Sequence, residues 1–209
     1  MYTREPILLG LTGVYCAGKN YVGSLLEELG CGVLDVDKLG HRAIELEKEA
    51  IVARFGSSIL AEDGSIDRKK LGERVFGQKE ELTALEALVH PRANRLTEEW
   101  IAASNQRVLV INAALLHRSS VFSRLRCIIF VRAPLLTRLL RAKRRDKLPF
   151  STLLQRFKSQ KEFIPQYFSQ NADIHTVNNR GYFRFRASHR RETLKRRLGA
   201  ILSREGIEI

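Results

Sequence analysis

The stretch GVYCAGKNY, residues 13–21, sets a glycine, four residues, a second glycine and a lysine in the order of a phosphate-cradling loop. Glycines let successive backbone N–H groups turn inward and approach phosphate oxygens closely. A helix beginning at the second glycine adds the positive end of its dipole at the same spot. The backbone of Gly13, Val14, Tyr15, Cys16, Ala17, Gly18 and Lys19 is therefore a candidate site for the phosphates of ATP, with the Lys19 ammonium in reach of the β- and γ-phosphates. Asn20 follows, where such loops carry a serine or threonine hydroxyl that binds Mg2+. An amide is bulkier and offers one neutral carbonyl oxygen. Asn20 is thus a candidate Mg2+ ligand, directly or through water, or it leaves the metal to the phosphates and a carboxylate.

Two carboxylates come next, in VLDVD at residues 33–37. Read as a strand, period-two alternation puts Asp35 and Asp37 on one side, with Asp37 at the carboxyl end. Ligands of open α/β sheets bind at that edge. There Asp37 can orient an attacking hydroxyl, serve the outer shell of a metal, or cap the helix that follows.

The elements that must position these groups are legible from periodicity. ILLGLTG (7–13) predicts a buried strand feeding the loop, and Val22, Leu25, Leu26 and Leu29 recur at helical spacing, with Gly30 where a C-cap belongs. GVLDVD (32–37) predicts a second strand. VLVI (108–111) and CIIFV (127–131) are continuous apolar runs, as expected of parallel strands covered on both faces, and DIHTV (173–177) predicts a fifth strand. Residues 50–104 read as a helical insertion: Leu71 and Val75, then Leu82, Leu85 and Val89, then Leu96 and Trp100 share helix faces. Pro91 suits the first position of a helix, with His90 as a turn residue before it. An Arg/Lys-rich helical stretch follows the fourth strand, and Leu194, Leu198, Ile201 and Leu202 form one face of a basic terminal helix. Strands alternating with helices imply an open α/β sheet.

Composition narrows the setting. The chain has 209 residues, 44% apolar and 28% charged, enough for one full domain with a smaller inserted piece. No apolar run approaches the roughly 18 residues that span a bilayer. The first residues lack a small-residue cleavage site. Cys16, Cys31 and Cys127 are odd in number and widely spaced without a CxxC pair. That argues against a disulfide framework or zinc site and for a cytoplasmic location. The net charge of +13 favours an anionic partner. Basic clusters such as HRRETLKRR lack interleaved aromatics, so neither nucleic acid nor a membrane is the expected partner.

In order and spacing, these pieces resemble the dephospho-CoA kinase family over residues 7–181. LLGLTG…AGK looks like its first strand and phosphate loop, and ELGCGVLDVDKLGHRAIE like its acidic stretch. AEDGSIDRKKLGERVF is close to the family pattern at nearly every position, and LEALVHPRA resembles a helix-breaking segment. FVRAPLLTRLLRAKRRD is similar to the family's arginine-bearing helix, and NADIHTVNN to a late segment. The resemblance implies a P-loop kinase fold: a five-stranded parallel sheet flanked by helices, with a helical substrate-binding insertion and a lid. By this reading the nucleotide-binding core is 1–49, 105–141 and 168–209, the CoA-binding insertion 50–104 and the lid 142–167.

The implied reaction is ATP- and Mg2+-dependent phosphorylation of the ribose 3′-hydroxyl of dephospho-CoA to coenzyme A, the last step of that synthesis. Gly13, Gly18 and Lys19 match the ATP loop, and Asp37 the carboxylate that orients the acceptor. Arg141 matches a phosphate-binding arginine, and Arg145 with Asp146 the start of the lid. Arg141 and Arg145 share a helix face, and Arg138 lies nearby in phase. Arg156 and Gln160 also share a face. The chain departs from the pattern at Asn20, at His41 for an arginine, at Ala114 for proline, at Arg118 for glutamate, and in NNRG, one residue longer than usual. Those departures keep open a kinase of another small hydroxyl-bearing metabolite, or a weakened nucleotide-binding protein with an anionic partner.

Overall fold

The computed structural model describes residues 5–146, 149–159, 172–180 and 187–208. They form two units, one of residues 1–35 with 104–209 and the other of residues 36–103. The first is built on five parallel strands: β1 (Ile7–Gly13), β2 (Gly32–Asp35), β3 (Val108–Asn112), β4 (Cys127–Arg132) and β5 (Asp173–Asn178). Their order across the sheet is β2-β3-β1-β4-β5. β1 is therefore central, and its carboxyl end, where the chain turns into the glycine-rich loop, opens between neighbours reached from opposite sides.

Continuous apolar runs are buried on both faces here, as parallel strands require. Every residue of β3 is buried, as is β4 from Cys127 to Val131. One face carries Leu9, Leu11, Val110 and Ile129 against helix α1 (Lys19–Glu27) and the terminal helix α8 (Ala187–Arg204). The expected stripe of α1 is buried at Val22, Leu25 and Leu26, and Gly30 takes the left-handed conformation (φ 91°) that ends it. On α8, Leu194, Leu198, Ile201 and Leu202 all enter the same core. Fully burying such side chains is worth about 1.5–3 kcal/mol each, so this apolar stripe, rather than the surface pairs of Arg191 and Lys195 with Glu28, holds a strongly basic helix to the sheet.

The second unit is helical: α2 (Val36–Leu46), α3 (Lys48–Phe55), α4 (Arg68–Val75) and α5 (Lys79–Ala103). Its core gathers Ala43, Ile51, Phe55, Ile59, Leu71, Val75, Val89, Ala93 and Leu96. The Asp67 carboxylate caps α4 by accepting from the N–H groups of Lys69 and Lys70.

Two expectations are corrected. Pro91 does not start a helix and His90 is not a turn residue, because α5 runs unbroken through both. Pro91 lies on the exposed side, so the carbonyl it leaves unpaired one turn earlier reaches water, while buried Val89, Ala93, Leu96 and Thr97 hold the opposite side. The second strand stops at Asp35 rather than at residue 37, and Val36 already opens α2. Alternation therefore does not relate Asp35 and Asp37: one ends a strand, and the other sits exposed in the first turn of a helix.

After β4 come α6 (Leu135–Asp146) and α7 (Phe150–Ser159). Of the expected lid, residues 147–148 and the part beyond α7, Gln160 among them, lie outside the described residues, as does Gly181 of the NNRG segment. No described helix is long and apolar enough to cross a membrane.

Candidate active site

The loop between β1 and α1 is shaped by what its glycines permit. A Cβ on Gly13 would run into the Val131 carbonyl of the adjoining strand. Gly18 sits at φ 88° as the residue that opens α1, and a Cβ there would come within 2.5 Å of the Asn179 amide nitrogen. Between them, Cys16 adopts φ 58°, the one described non-glycine residue in the left-handed region.

The loop's carbonyls are held on one side. Arg138 Nε donates to the Tyr15 carbonyl at 2.8 Å. Arg141 donates to the Ala17 carbonyl at 2.8 Å and to that of Cys16 at 3.4 Å. Asn179, only 7% exposed, donates its amide to the same Ala17 oxygen at 2.8 Å, and its own oxygens accept from Arg141. With the carbonyls of residues 15–17 tied to this bracket, the backbone between them must turn its N–H groups the other way. The N–H of Val14 bonds to Val131 and that of Ala17 to Val14, whereas those of Cys16, Gly18 and Asn20 have no acceptor among the described residues. Three orphan donors at a helix N-terminus make an anion site. Val14 and Ala17 thus contribute to the loop by closing it.

The arginines are placed more finely than their spacing suggested. Both Arg138 and Arg141 lie on α6 and brace the loop; burial lowers their pKa, but a guanidinium stays charged. Arg138 also stacks on Phe157 of α7, 4.6 Å from the ring centroid. Arg145 instead lies over the Tyr15 ring at 5.1 Å and pairs with Asp146 at 2.7 Å, while the Tyr15 hydroxyl donates to the other Asp146 oxygen. That pairing raises the Arg145 pKa above its usual value. Tyr15 meets Phe157 edge-on at 5.3 Å. α6 and α7 are thereby fastened to the loop tip through Tyr15.

Burial pushes the Cys16 thiol above its ordinary pKa, so it is neutral at physiological pH. Its backbone is the strained element. The left-handed conformation costs an L-residue about 1–2 kcal/mol, against about 0.5–1 kcal/mol of extra unfolded-state entropy for glycine. Cys16→Gly is expected to be neutral or stabilising by up to about 1 kcal/mol, and Cys16→Val, β-branched, to be clearly destabilised. Urea unfolding of the three proteins checks this. A glycine variant weaker than the valine one would show that the thiol's packing, not the backbone, decides.

At the other end of the loop, Asn20 is bound on both sides. Its amide nitrogen donates to Asp35 Oδ2 at 3.2 Å, and its carbonyl accepts from the amide of Asn112 at 3.2 Å. Asp35 and Asn112 are direct partners in the β2–β3 register. Asn112, Asn179 and Arg138 were not singled out as site residues from sequence. The available signals were a polar residue closing an otherwise apolar strand and an arginine one helical turn before Arg141. Lys19 begins α1, and Asp37 belongs to the helical unit.

A family model described as dephospho-CoA kinase matches residues 7–181. A dephospho-CoA kinase of Treponema pallidum is 34% identical over 210 residues, covering 96% of each chain. A crystal structure of a Thermus thermophilus protein superimposes with a TM-score of 0.78 at 31% identity, covering 96% of this chain and 98% of that one. Shikimate kinase from Bacteroides thetaiotaomicron, 16% identical with a TM-score of 0.54 over 94% and 98% of the two chains, shares the fold. A parallel five-stranded sheet, a phosphate loop braced from behind and a match over most of the chain agree: this protein belongs to the dephospho-CoA kinase family of phosphotransferases.

Proposed function

We propose that the chain transfers the γ-phosphoryl group of ATP to the ribose 3′-hydroxyl of dephospho-CoA, using Mg2+. The observation that carries the nucleotide half is the bracketed loop, with the carbonyls of Tyr15, Cys16 and Ala17 held by Arg138, Arg141 and Asn179. The N–H groups of Cys16, Gly18 and Asn20 receive phosphate oxygens, and Lys19 adds a positive charge. Phosphoryl transfer asks for in-line positioning and charge stabilisation more than for a strong base. A ribose hydroxyl is far too weak an acid for a carboxylate to ionise beforehand. Asp37 therefore orients the acceptor and takes its proton late. The helical unit holds the CoA portion, and the segment from Ala142 to residue 167 acts as a lid.

Asp35, Asn20 and Asn112 fit a hydrated Mg2+, being oxygen-bearing side chains gathered beside the loop, with Asn112 Oδ1 buried and without a partner among the described residues. When bound, the ion neutralises charge on the β- and γ-phosphates. A coupled assay of ADP release with dephospho-CoA as acceptor tests the reading. The expected result is ADP formed one for one with coenzyme A; no turnover at saturating ATP with either Mg2+ or Mn2+ would refute it.

A further inference from the structure

The three residues beside the loop form a directional chain whose sense is fixed by chemistry alone. An ionised Asp35 only accepts hydrogen bonds. The Asn20 side chain must therefore turn its NH2 toward Asp35, which leaves its carbonyl facing Asn112. Asn112 must in turn present its NH2 to that carbonyl. Flipping either amide would set acceptor against acceptor or donor against donor, so the usual ambiguity of amide orientation does not arise. The chain ends at Asn112 Oδ1, in a residue 2% exposed, and that oxygen has no hydrogen-bond partner among the described residues. A buried acceptor without a donor is costly to keep.

In nucleotide-binding loops of this design, the metal is held by the hydroxyl after the loop lysine together with a carboxylate on a strand. In this chain the position after Lys19 is Asn20, and the polar residue ending β3, the strand beside β1, is Asn112. Both are amides, and each is hydrogen-bonded to the other. Resting on the kinase reading above, we infer that Asn112 is a metal-positioning residue. Its Oδ1 accepts from the hydration shell of the divalent cation bound with ATP, and Asp35 fixes its direction through Asn20. A neutral acceptor at the end of a carboxylate-oriented relay takes the place of a hydroxyl–carboxylate pair. Asn112 brings no negative charge of its own, so its contribution to cation binding is that of an oriented neutral acceptor.

The test is Mn2+ binding, followed by the electron paramagnetic resonance signal of the free ion. The full chain is saturated with the β,γ-imido analogue of ATP, which is not hydrolysed. Asn112→Ala is expected to weaken Mn2+ binding by about 10–100-fold, the usual cost of removing an outer-shell partner. Its affinity for the analogue in EDTA is expected to stay within about twofold of wild type, since no phosphate contact is lost. Asn112→Asp restores a carboxylate and is expected to bind Mn2+ tighter than wild type. If Asn112 only holds the fold, the melting temperature falls while Mn2+ binding stays unchanged in both variants, and the inference is overturned. Should the alanine variant not fold, the near-isosteric aspartate variant decides: although it cannot donate to Asn20, tighter Mn2+ binding upholds the place of side chain 112 beside the cation, and unchanged binding overturns it. The titration needs no acceptor. Failure of dephospho-CoA to elicit ADP would count against the kinase reading and leave the metal result standing.

Discussion

Asp37→Asn is expected to lower kcat by about 10²–10⁴-fold, the range for losing a positioned proton acceptor, while ATP affinity changes by less than about threefold. Asparagine keeps the shape and one acceptor oxygen but cannot take the acceptor's proton. The loop carbonyls are held by Arg138, Arg141 and Asn179, and Asp37 sits exposed in the first turn of α2. Single-turnover kinetics beside equilibrium nucleotide binding separates the two quantities. An unchanged kcat would remove Asp37 from the reaction. An equal loss in both would make it a nucleotide-binding group instead.

Arg141→Ala should act through binding. The Arg141 guanidinium reaches the carbonyls of Cys16 and Ala17 and both oxygens of Asn179. Hydrogen bonds to a charged donor are worth about 1.5–3 kcal/mol each, and removing this one leaves loop carbonyls free to rotate into the phosphate site. The affinities for ATP and ADP are expected to fall together by about 10–100-fold, because what is lost is the cradle's shape. Arg141→Lys should not rescue them, because an ammonium cannot serve several acceptors with the fixed geometry of a fork. Calorimetric titration with both nucleotides measures this. A loss confined to ATP would mean that Arg141 meets the γ-phosphate rather than the loop.

Sequence periodicity was a sound guide wherever one residue's burial repeats along its own element. The stripes of α1 and α8 and the apolar runs of β3 and β4 needed no knowledge of their partners. It was a poor guide where two principles compete. Proline ordinarily marks a helix start, yet at position 91 exposure on one side and burial on the other let α5 continue. Alternation was extended through VLDVD, although Val36 had already changed the geometry. The site itself was half legible. The loop announces itself in one contiguous stretch, whereas its bracket does not. Asn179 lies 162 residues from Ala17, and Asn112 lies 92 from Asn20. No local pattern marks a polar residue as the partner of something so distant.

The position of β1 in the sheet has a consequence for how the molecule comes into being. Of the five described strands, the first to leave the ribosome is the central one, and its two neighbours are β3 and β4, where Ile7 lies opposite Val108 and Leu9 opposite Cys127. At about 5–20 residues per second, roughly a hundred residues of translation separate β1 from its earliest partner. Residues 36–103 emerge whole in that interval. The helical unit can gather once α5 follows α2 out, while an apolar strand and the glycine-rich loop wait as unpaired chain for several seconds. Nascent-chain aggregation and chaperone demand should therefore concentrate in that window and subside once β4 has been made.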